Sequence, residues 1–388
     1  MPRLDEQIFL VAALRTPIGK FGGALSSLTA PQLGVASAEA TIERSGIDPN
    51  AIDEVIFGNA RQAGVGPNVA RQIAIKSGLR HEVPAYTVNQ ACGSGLRAIM
   101  NAADQIRLSH AEVVLAGGTE SMSNTPYLLM RARWGTRMGH GEVIDGMYRD
   151  GFMCPLADEM MGATAETLAD RYGISRQEQD QFAVESQKRA ERAYAENRFS
   201  DEIVPLEKLQ RDEHPRFDTD LGSLAKLPPV FRKDGTVHAG NSSGVTDGAS
   251  SMLVASRAAL EKHGLKAMAR VVGYAHAGVD PKIMGIGPVP ATRRLMSEVG
   301  MSLKDIDLIE LNEAFAAQVL ACDRELHFDR NKLNVHGGAI ALGHPIGCTG
   351  ARITTTLLHA LQAYDKTVGL ATLCISGGMG LSLLVERV

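Results

Sequence analysis

What this 388-residue chain lacks narrows its class first. No stretch reaches about 18 uncharged apolar residues, which excludes a membrane-spanning helix. The first residues, Met1-Pro2-Arg3-Leu4-Asp5-Glu6-Gln7, carry acids where a secretory signal needs a basic segment and an apolar run, so a soluble, cytoplasmic protein is expected. Neither charge is in excess: 40 Lys and Arg nearly cancel 44 Asp and Glu, and no long-range field draws in nucleic acid or an anionic membrane. Cysteine is sparse, and Cys92, Cys154, Cys322, Cys348 and Cys374 form no CxxC pair. Their odd number argues against both a zinc ribbon and a disulfide framework, and leaves at least one thiol for chemistry. No HxxxH pair stands beside a carboxylate, so no metal site is expected. Without a secretory signal, the Asn241-Ser242-Ser243 sequon reads as chance.

With 44% hydrophobic residues, the chain can bury a sizeable core divided into two or three domains. Short apolar runs alternate with helical patterns, the mark of an α/β protein. Strands are predicted at Ile8 to Ala13, Glu54 to Gly58, Ala85 to Asn89 and Glu112 to Ala116, and helices at Ala30 to Ser45, Val69 to Gly78 and Gly95 to Leu108. The order returns in the C-terminal third. Ala51 to Asn59 resembles Lys304 to Asn312, Thr87 to Gly95 parallels Leu333 to Gly338, and Val113 to Gly118 parallels Val368 to Cys374. Two similar halves packed together are therefore expected, residues 1–120 with 241–266 and residues 267–388. Residues 121–240 differ in character, with Trp134, Arg131-Ala132-Arg133, patches of Met and Pro, and a strongly helical stretch from Ser175 to Asn197 opened by a Ser175/Glu178 capping box. They read as an inserted loop or lid domain.

The densest signal is Val335 to Arg352, where five glycines and a proline surround His344. Each glycine costs about 0.5 to 1 kcal/mol relative to Ala in regular structure, so such a run implies positive φ angles or a ligand close to main chain. Between Gly343 and Pro345 the His344 ring can be aimed, which makes it the candidate base; a hydrogen-bonded bystander is the plainer alternative. Cys92 follows a predicted strand and precedes Gly93-Ser94-Gly95 and a helix, where free N–H groups and the helix dipole favour a thiolate. The plainer alternative there is a small buried hydrophobe. Cys374 ends a predicted strand before Ile375-Ser376-Gly377-Gly378-Met379-Gly380, and the duplication carries it toward the same pocket. Two thiols and an imidazole suit the making or breaking of a carbon–carbon bond beside a thioester, one thiol attacking a carbonyl while the other moves a proton. Asn312, opening Asn312-Glu313-Ala314-Phe315-Ala316 at a strand end, is either an oxyanion-site amide or a helix N-cap. Gly244 and Gly248 around Asp247 mark a further, weaker place for a ligand to near the backbone.

Together these segments resemble the thiolase family over essentially the whole chain. Asn89 to Gly95 is similar to the family's nucleophile motif, Asn312 to Ala316 to its NEAFA motif, Gly343 to Gly347 to its GHPIG motif, and Cys374 to Gly380 to its second cysteine motif. Four motifs in one order are hard to obtain by chance. The resemblance implies an α/β fold of five layers, α-β-α-β-α, built from two βαβαβαββ halves with a loop domain inserted in the first. It implies the reversible condensation of two acetyl-CoA to acetoacetyl-CoA and CoA through an acyl-Cys92 intermediate, with no cofactor beyond these substrates. By the same resemblance His344 takes the Cys92 proton, and Cys374 removes one from the methyl carbon of the second acetyl-CoA. One oxyanion hole uses His344 and a water held by Asn312, the other the main-chain N–H groups of Cys92 and Ser376. The CoA contacts carried over by motif are Ser243, Met161, Met284 and Phe315, with Arg216 and Ser223 near the nucleotide end. Dimers or tetramers are implied, with the Met- and Arg-rich insert as a tetramer contact.

The chain departs from the family pattern twice. Ser376 replaces the first glycine of Cys-x-Gly-Gly-Gly, and Met160-Met161-Gly162 stands where the short-chain biosynthetic group has His-Met-Gly. The second departure keeps open a degradative 3-ketoacyl-CoA thiolase of fatty-acid breakdown with broader chain length. A ketoacyl synthase fits less well, since that group carries a second His or an Asn where this chain has a second cysteine. A non-catalytic acyl-CoA binder has no need of Cys92, His344, Cys374 and Asn312 together.

Overall fold

The computed structural model describes residues 5–388. Its first half runs β1 (Ile8–Arg15), α1 (Ala30–Ser45), β2 (Glu54–Gly58), α2 (Val69–Lys76), β3 (Ala85–Val88), α3 (Ser94–Arg107), β4 (Val113–Ser121), then, after α4 (Met161–Tyr172) and α5 (Arg176–Ala195), β5 (Thr246–Ser256). The second half repeats the order: β6 (Ala267–Gly278), α6 (Pro288–Val299), β7 (Leu308–Leu311), α7 (Ala316–Leu326), α8 (Ile346–Ala363), β8 (Val368–Ile375) and β9 (Met379–Arg387). The sheet order is β7-β8-β9-β6-β1-β5-β4-β2-β3, with the short strand Gly19–Lys20 alongside β5. The halves join through the antiparallel pair β1 and β6, where Phe9 faces Arg270 and Leu10 faces Ala269.

Strand side chains alternate between two faces, and here both faces are covered. Ile56 and Val114 point inward to α3 and α8, which lie between the two half-sheets and bring Leu96, Ile99, Ile353 and Leu357 into one core with Leu373 and Leu381. Their strand neighbours Val55, Phe57, Val113 and Leu115 point outward to α1 and α2, against Ile42 and Ile73. On the far side Leu295 of α6 and Leu320 of α7 cover the second half-sheet, joined by Leu168 of α4 and Phe182 of α5. The layers are therefore helix, sheet, helix, sheet, helix, as the sequence led one to expect.

Local chemistry places the helix ends. The reciprocal bonds of Thr29 with Gln32 open α1, Ser175 with Glu178 open α5, and Gly46 in the left-handed region closes α1. Residues between β4 and β5 add no strand to the main sheet apart from two short separate ribbons, Tyr127–Leu128 with Ile144–Asp145 and Met153–Cys154 with Glu159–Met160. Among the described residues no helix is long and apolar enough to cross a membrane.

The duplication is imperfect in one element. The counterpart of β3 in the second half shrinks to a single bridge between Ile309 and Leu333. Asn334 turns the chain at φ 44, and its side-chain amide takes over the strand's bonds, accepting from Leu311 N at 2.9 Å and donating to Leu311 O at 2.9 Å.

Candidate active site

Cys92 is delivered by a tight turn between β3 and α3. The side chain of Asn89 accepts from Ala91 N at 3.1 Å, and Ser94 Oγ both accepts from Gln90 N and donates to Ala91 O. Ala91 is held at φ 45, a strained angle for a residue with a Cβ, immediately before the thiol. Gly93 lets the turn press on β8, since an added Cβ would come within 2.6 Å of Ile375 Cδ1.

His344 arrives from the other half, just before α8. Its backbone N–H donates to Gly244 O at 3.0 Å. Its Nδ1 lies 2.6 Å from Thr349 Oγ1, whose single proton goes to Pro345 O at 3.0 Å. The ring therefore donates from Nδ1 and presents the lone pair of Nε2. Asn312 Nδ2 stands 3.5 Å from that Nε2, while Asn312 Oδ1 is buried with no protein partner, a vacant acceptor suited to a water. Asn312 is not an N-cap: α7 is capped by Phe315, three residues on.

Cys92, His344, Cys374 and Ser376 line one cavity of about 90 Å³, together with Met161, Ser243, Met284 and Phe315. The backbone N–H groups of Ser376 and of Cys92 itself both favour the ionised Cys92 sulfur. Ser376 is tolerated in place of glycine because the positive φ angles fall later, at Gly377 (87°) and Gly378 (85°). Of the two remaining CoA candidates, Arg216 and Ser223 lie in a separate groove of about 240 Å³ with His214 and Leu227. Gly244, next to the cavity residue Ser243, packs closely on the groove residue His214, where an added Cβ would lie 2.0 Å from Nε2. Met160 is half-buried and outside both.

Burial dominates the electrostatics. It raises the Cys92 thiol despite the lowering effects of the Ser376 N–H and Arg61, and it pushes His344 down to about 3, helped by Arg352 and Arg61. Cys374, fully buried, is raised well above the ordinary thiol range by burial and then by Cys92. The resting site thus holds neutral thiols and a neutral imidazole rather than the thiolate that the helix position led one to expect.

The glycine run of Val335 to Arg352 supplies the expected positive φ at Gly337 (79°) and at Gly343 (104°), directly before His344, while Gly350 and Gly347, where an added Cβ would lie 2.2 Å from Leu96 N and 2.8 Å from Ala60 N, serve backbone-on-backbone packing rather than ligand approach. Asp247 is likewise internal, accepting from Ser123 N and Oγ. Sequence reasoning missed Thr349, Arg61 and Glu120. Glu120 accepts from Ala60 N, Arg61 N, Asn59 Nδ2 and Gly347 N at 2.8 to 3.1 Å, clamping the cavity wall to the start of α8. Only Thr349 left a sequence signal, five residues after His344 and one turn into a helix.

Known proteins share this fold and much of this sequence. The family models for the thiolase N-terminal and C-terminal domains match residues 8–258 and 265–387. Acetyl-CoA acetyltransferases of Pseudomonas aeruginosa and Escherichia coli are 51% and 50% identical, covering 98% and 97% of this chain and 100% and 98% of their own. The crystal structure of the Bacillus anthracis acetyl-CoA acetyltransferase superposes with a TM-score of 0.96 at 46% identity over 99% of both chains. Human mitochondrial 3-ketoacyl-CoA thiolase in complex with CoA gives 0.97 at 44% identity over 100% of this chain and 99% of that one. Models of both halves match in order, relatives align along the full length, and the motif thiols and imidazole meet in one cavity with the Asn312 amide behind the imidazole: this chain belongs to the thiolase family.

Proposed function

We propose that this protein is an acetyl-CoA acetyltransferase that joins two acetyl-CoA into acetoacetyl-CoA and CoA, and runs the reverse thiolysis. The observation that carries the reading is the convergence of Cys92, His344 and Cys374 on one narrow cavity of about 90 Å³, room for about three waters and hence for a short acyl group. His344 Nε2 takes the Cys92 proton as sulfur attacks the thioester, and the Ser376 and Cys92 N–H groups hold the developing oxyanion. CoA leaves, taking the Cys374 proton. The buried Cys374 thiolate is then a strong base, suited to a methyl hydrogen of the second acetyl-CoA. The resulting enolate oxygen is met by His344 and a water on Asn312, and its carbon attacks acyl-Cys92. Ser243, Met161, Met284 and Phe315 hold the pantetheine arm, while Arg216 and Ser223 serve the nucleotide end. Side chains and backbone donors supply every step, with no cofactor beyond CoA.

Five free cysteines fit a reducing compartment, and we place the enzyme in the cytoplasm. A homotetramer is favoured by the apolar surface around the Tyr127–Leu128 ribbon, where Trp134 is 88% and Met138 94% exposed. A degradative 3-ketoacyl-CoA thiolase is the second reading, favoured by Met160 in place of the short-chain group's histidine. The deciding experiment is CoA-dependent thiolysis across a ladder of 3-ketoacyl-CoA lengths, wild type beside Cys92→Ala. Highest kcat/KM on acetoacetyl-CoA, abolished by the substitution, is expected. Faster cleavage of longer chains moves the assignment to the degradative enzyme, and activity that survives Cys92→Ala removes the proposed nucleophile.

A further inference from the structure

The cavity also holds a cation that the steps above do not use. Arg61 follows β2 and is only 6% exposed, yet it lines the same space as Cys92, Phe152 and Ile346. Its Nη1 donates to Asp150 O at 3.0 Å, and its plane rests on Gly151, where an added Cβ would come 2.4 Å from Nη2 and 2.8 Å from Nε. Nε is closed off without an acceptor, Nη2 remains reachable and has no hydrogen-bond partner, and among the described residues the guanidinium makes no ion pair. Glu120 offsets the charge from a distance, but its oxygens are taken by Asn59, Ala60, Arg61 and Gly347 N–H groups. The neighbouring wall, Ala60, Met122, Met147 and Ile346, is apolar.

A buried guanidinium with an unused donor beside the reacting sulfur is unfavourable unless something that enters the cavity completes it. An acetyl methyl brings no acceptor. We propose that Arg61 is a specificity residue that receives a carboxylate at the far end of the acyl chain, so that the enzyme cleaves 3-oxoacyl-CoA thioesters of short dicarboxylic acids. The proposal rests on the acyl-transfer reading above. Cys92 sulfur, giving its proton to His344, bonds to the 3-oxo carbon. The bond between carbons 2 and 3 breaks, carbon 2 takes the Cys374 proton, and acetyl-CoA leaves. The incoming CoA thiol gives its proton to Cys374 and takes the carboxyacyl group, while Cys92 recovers its proton from His344. The small cavity restricts the chain to a few carbons, and Arg61 selects among those by charge.

The test compares kcat/KM for 3-oxoadipyl-CoA and 3-oxohexanoyl-CoA, equal in length and differing only in the terminal carboxylate, in wild type and Arg61→Leu. Wild type is expected to prefer the carboxylate by about tenfold or more, the size of one charged hydrogen-bonded contact, and the ratio should fall at least tenfold in the variant. A wild-type ratio of one or less overturns the proposal whether or not the variant folds. So does a variant that keeps the ratio, including one that only shifts the pH profile of Cys92 alkylation by iodoacetamide, since the guanidinium then serves the thiol. Absence of thiolysis on acetoacetyl-CoA as well counts instead against the acyl-transfer reading.

Discussion

At the scale of the residue, the site is a case of burial overruling local field. The backbone N–H groups of Cys92 and of Ser376, after β8, favour the Cys92 thiolate, yet removal from water raises its thiol and keeps His344 neutral far below pH 7. A neutral pair of this kind exchanges its proton only as attack proceeds, so the position of the base lone pair decides the rate. Thr349 fixes that position by receiving the Nδ1 proton. Thr349→Val is expected to lower kcat/KM for acetoacetyl-CoA thiolysis by about tenfold or more, within the range that general-base catalysis spans. Thr349→Ser should restore most of it, while the Val variant should also lower the urea midpoint by leaving the buried Nδ1–H unpaired. A Val variant at full rate would show that the ring needs no such anchor. Cys92, His344, Asn312 and Cys374 were legible in the sequence because each sits in a motif whose turn chemistry is local. Arg61 and Glu120 were not, since their roles arise only where residues 59–61, 120 and 347 meet in space.

At the scale of the element, the active site depends on how closely α3 and α8 approach. Both helices begin at the cavity and cross where glycines face: an added Cβ on Gly350 would lie 2.2 Å from Leu96 N, and one on Gly95 2.8 Å from Ala351 N. The clashing atoms are backbone, so one helix must move as a whole. Gly350→Ala is expected to destabilise the protein by about 1 to 3 kcal/mol or more, read as a lower urea midpoint at unchanged m, and to slow thiolysis because His344 rides on α8. An unchanged midpoint would mean that the helices are not in fixed contact there. Element by element the sequence was a good guide where signals are local. The span Ala30–Ser45 has its cap and its glycine stop, and Ser175 with Glu178 opens α5. It misled where a side chain replaced backbone. Nothing in the pattern around Leu333 told that the Asn334 amide would bond to Leu311 and leave a bridge in place of a strand. The strand β4 also runs on to Ser121 because Gly117 and Gly118 pack against Ser250 O and Gly347 O, contacts invisible to a periodicity.

At the scale of the whole molecule, the segment between β4 and β5 is fastened to the end of β1 by a single bridge, Arg15 with Ile203, and by the buried polar groups around it. Arg15, at the end of β1, reaches Glu202 at 2.6 Å and Asp212 at 2.7 Å, all nearly inaccessible to water, and its guanidinium lies over the Phe199 ring. His336 completes this contact, packed between Phe199 and Tyr364 with both ring nitrogens buried and unpartnered. Burial pushes its imidazole down to about 4, more than Glu202 can offset. The sign of the consequence follows from proton counts. An unfolded chain protonates this ring near pH 6.5, the native protein only near 4, so between those values the unfolded state binds more protons and stability falls as the pH falls. His344, depressed further, adds to the loss over the same range and below it. At pH 5 the His336 share is about 2 kcal/mol, enough to displace a urea midpoint visibly. His336→Phe keeps a ring in the Phe199 and Tyr364 contact and removes the titration. Its midpoint is expected to fall less than wild type between pH 7.5 and 5, with the residual slope belonging to His344 and the other histidines. Parallel midpoints across that range would show that the segment's attachment does not sense protons through this ring, and would leave the acid sensitivity to the active-site half of the molecule.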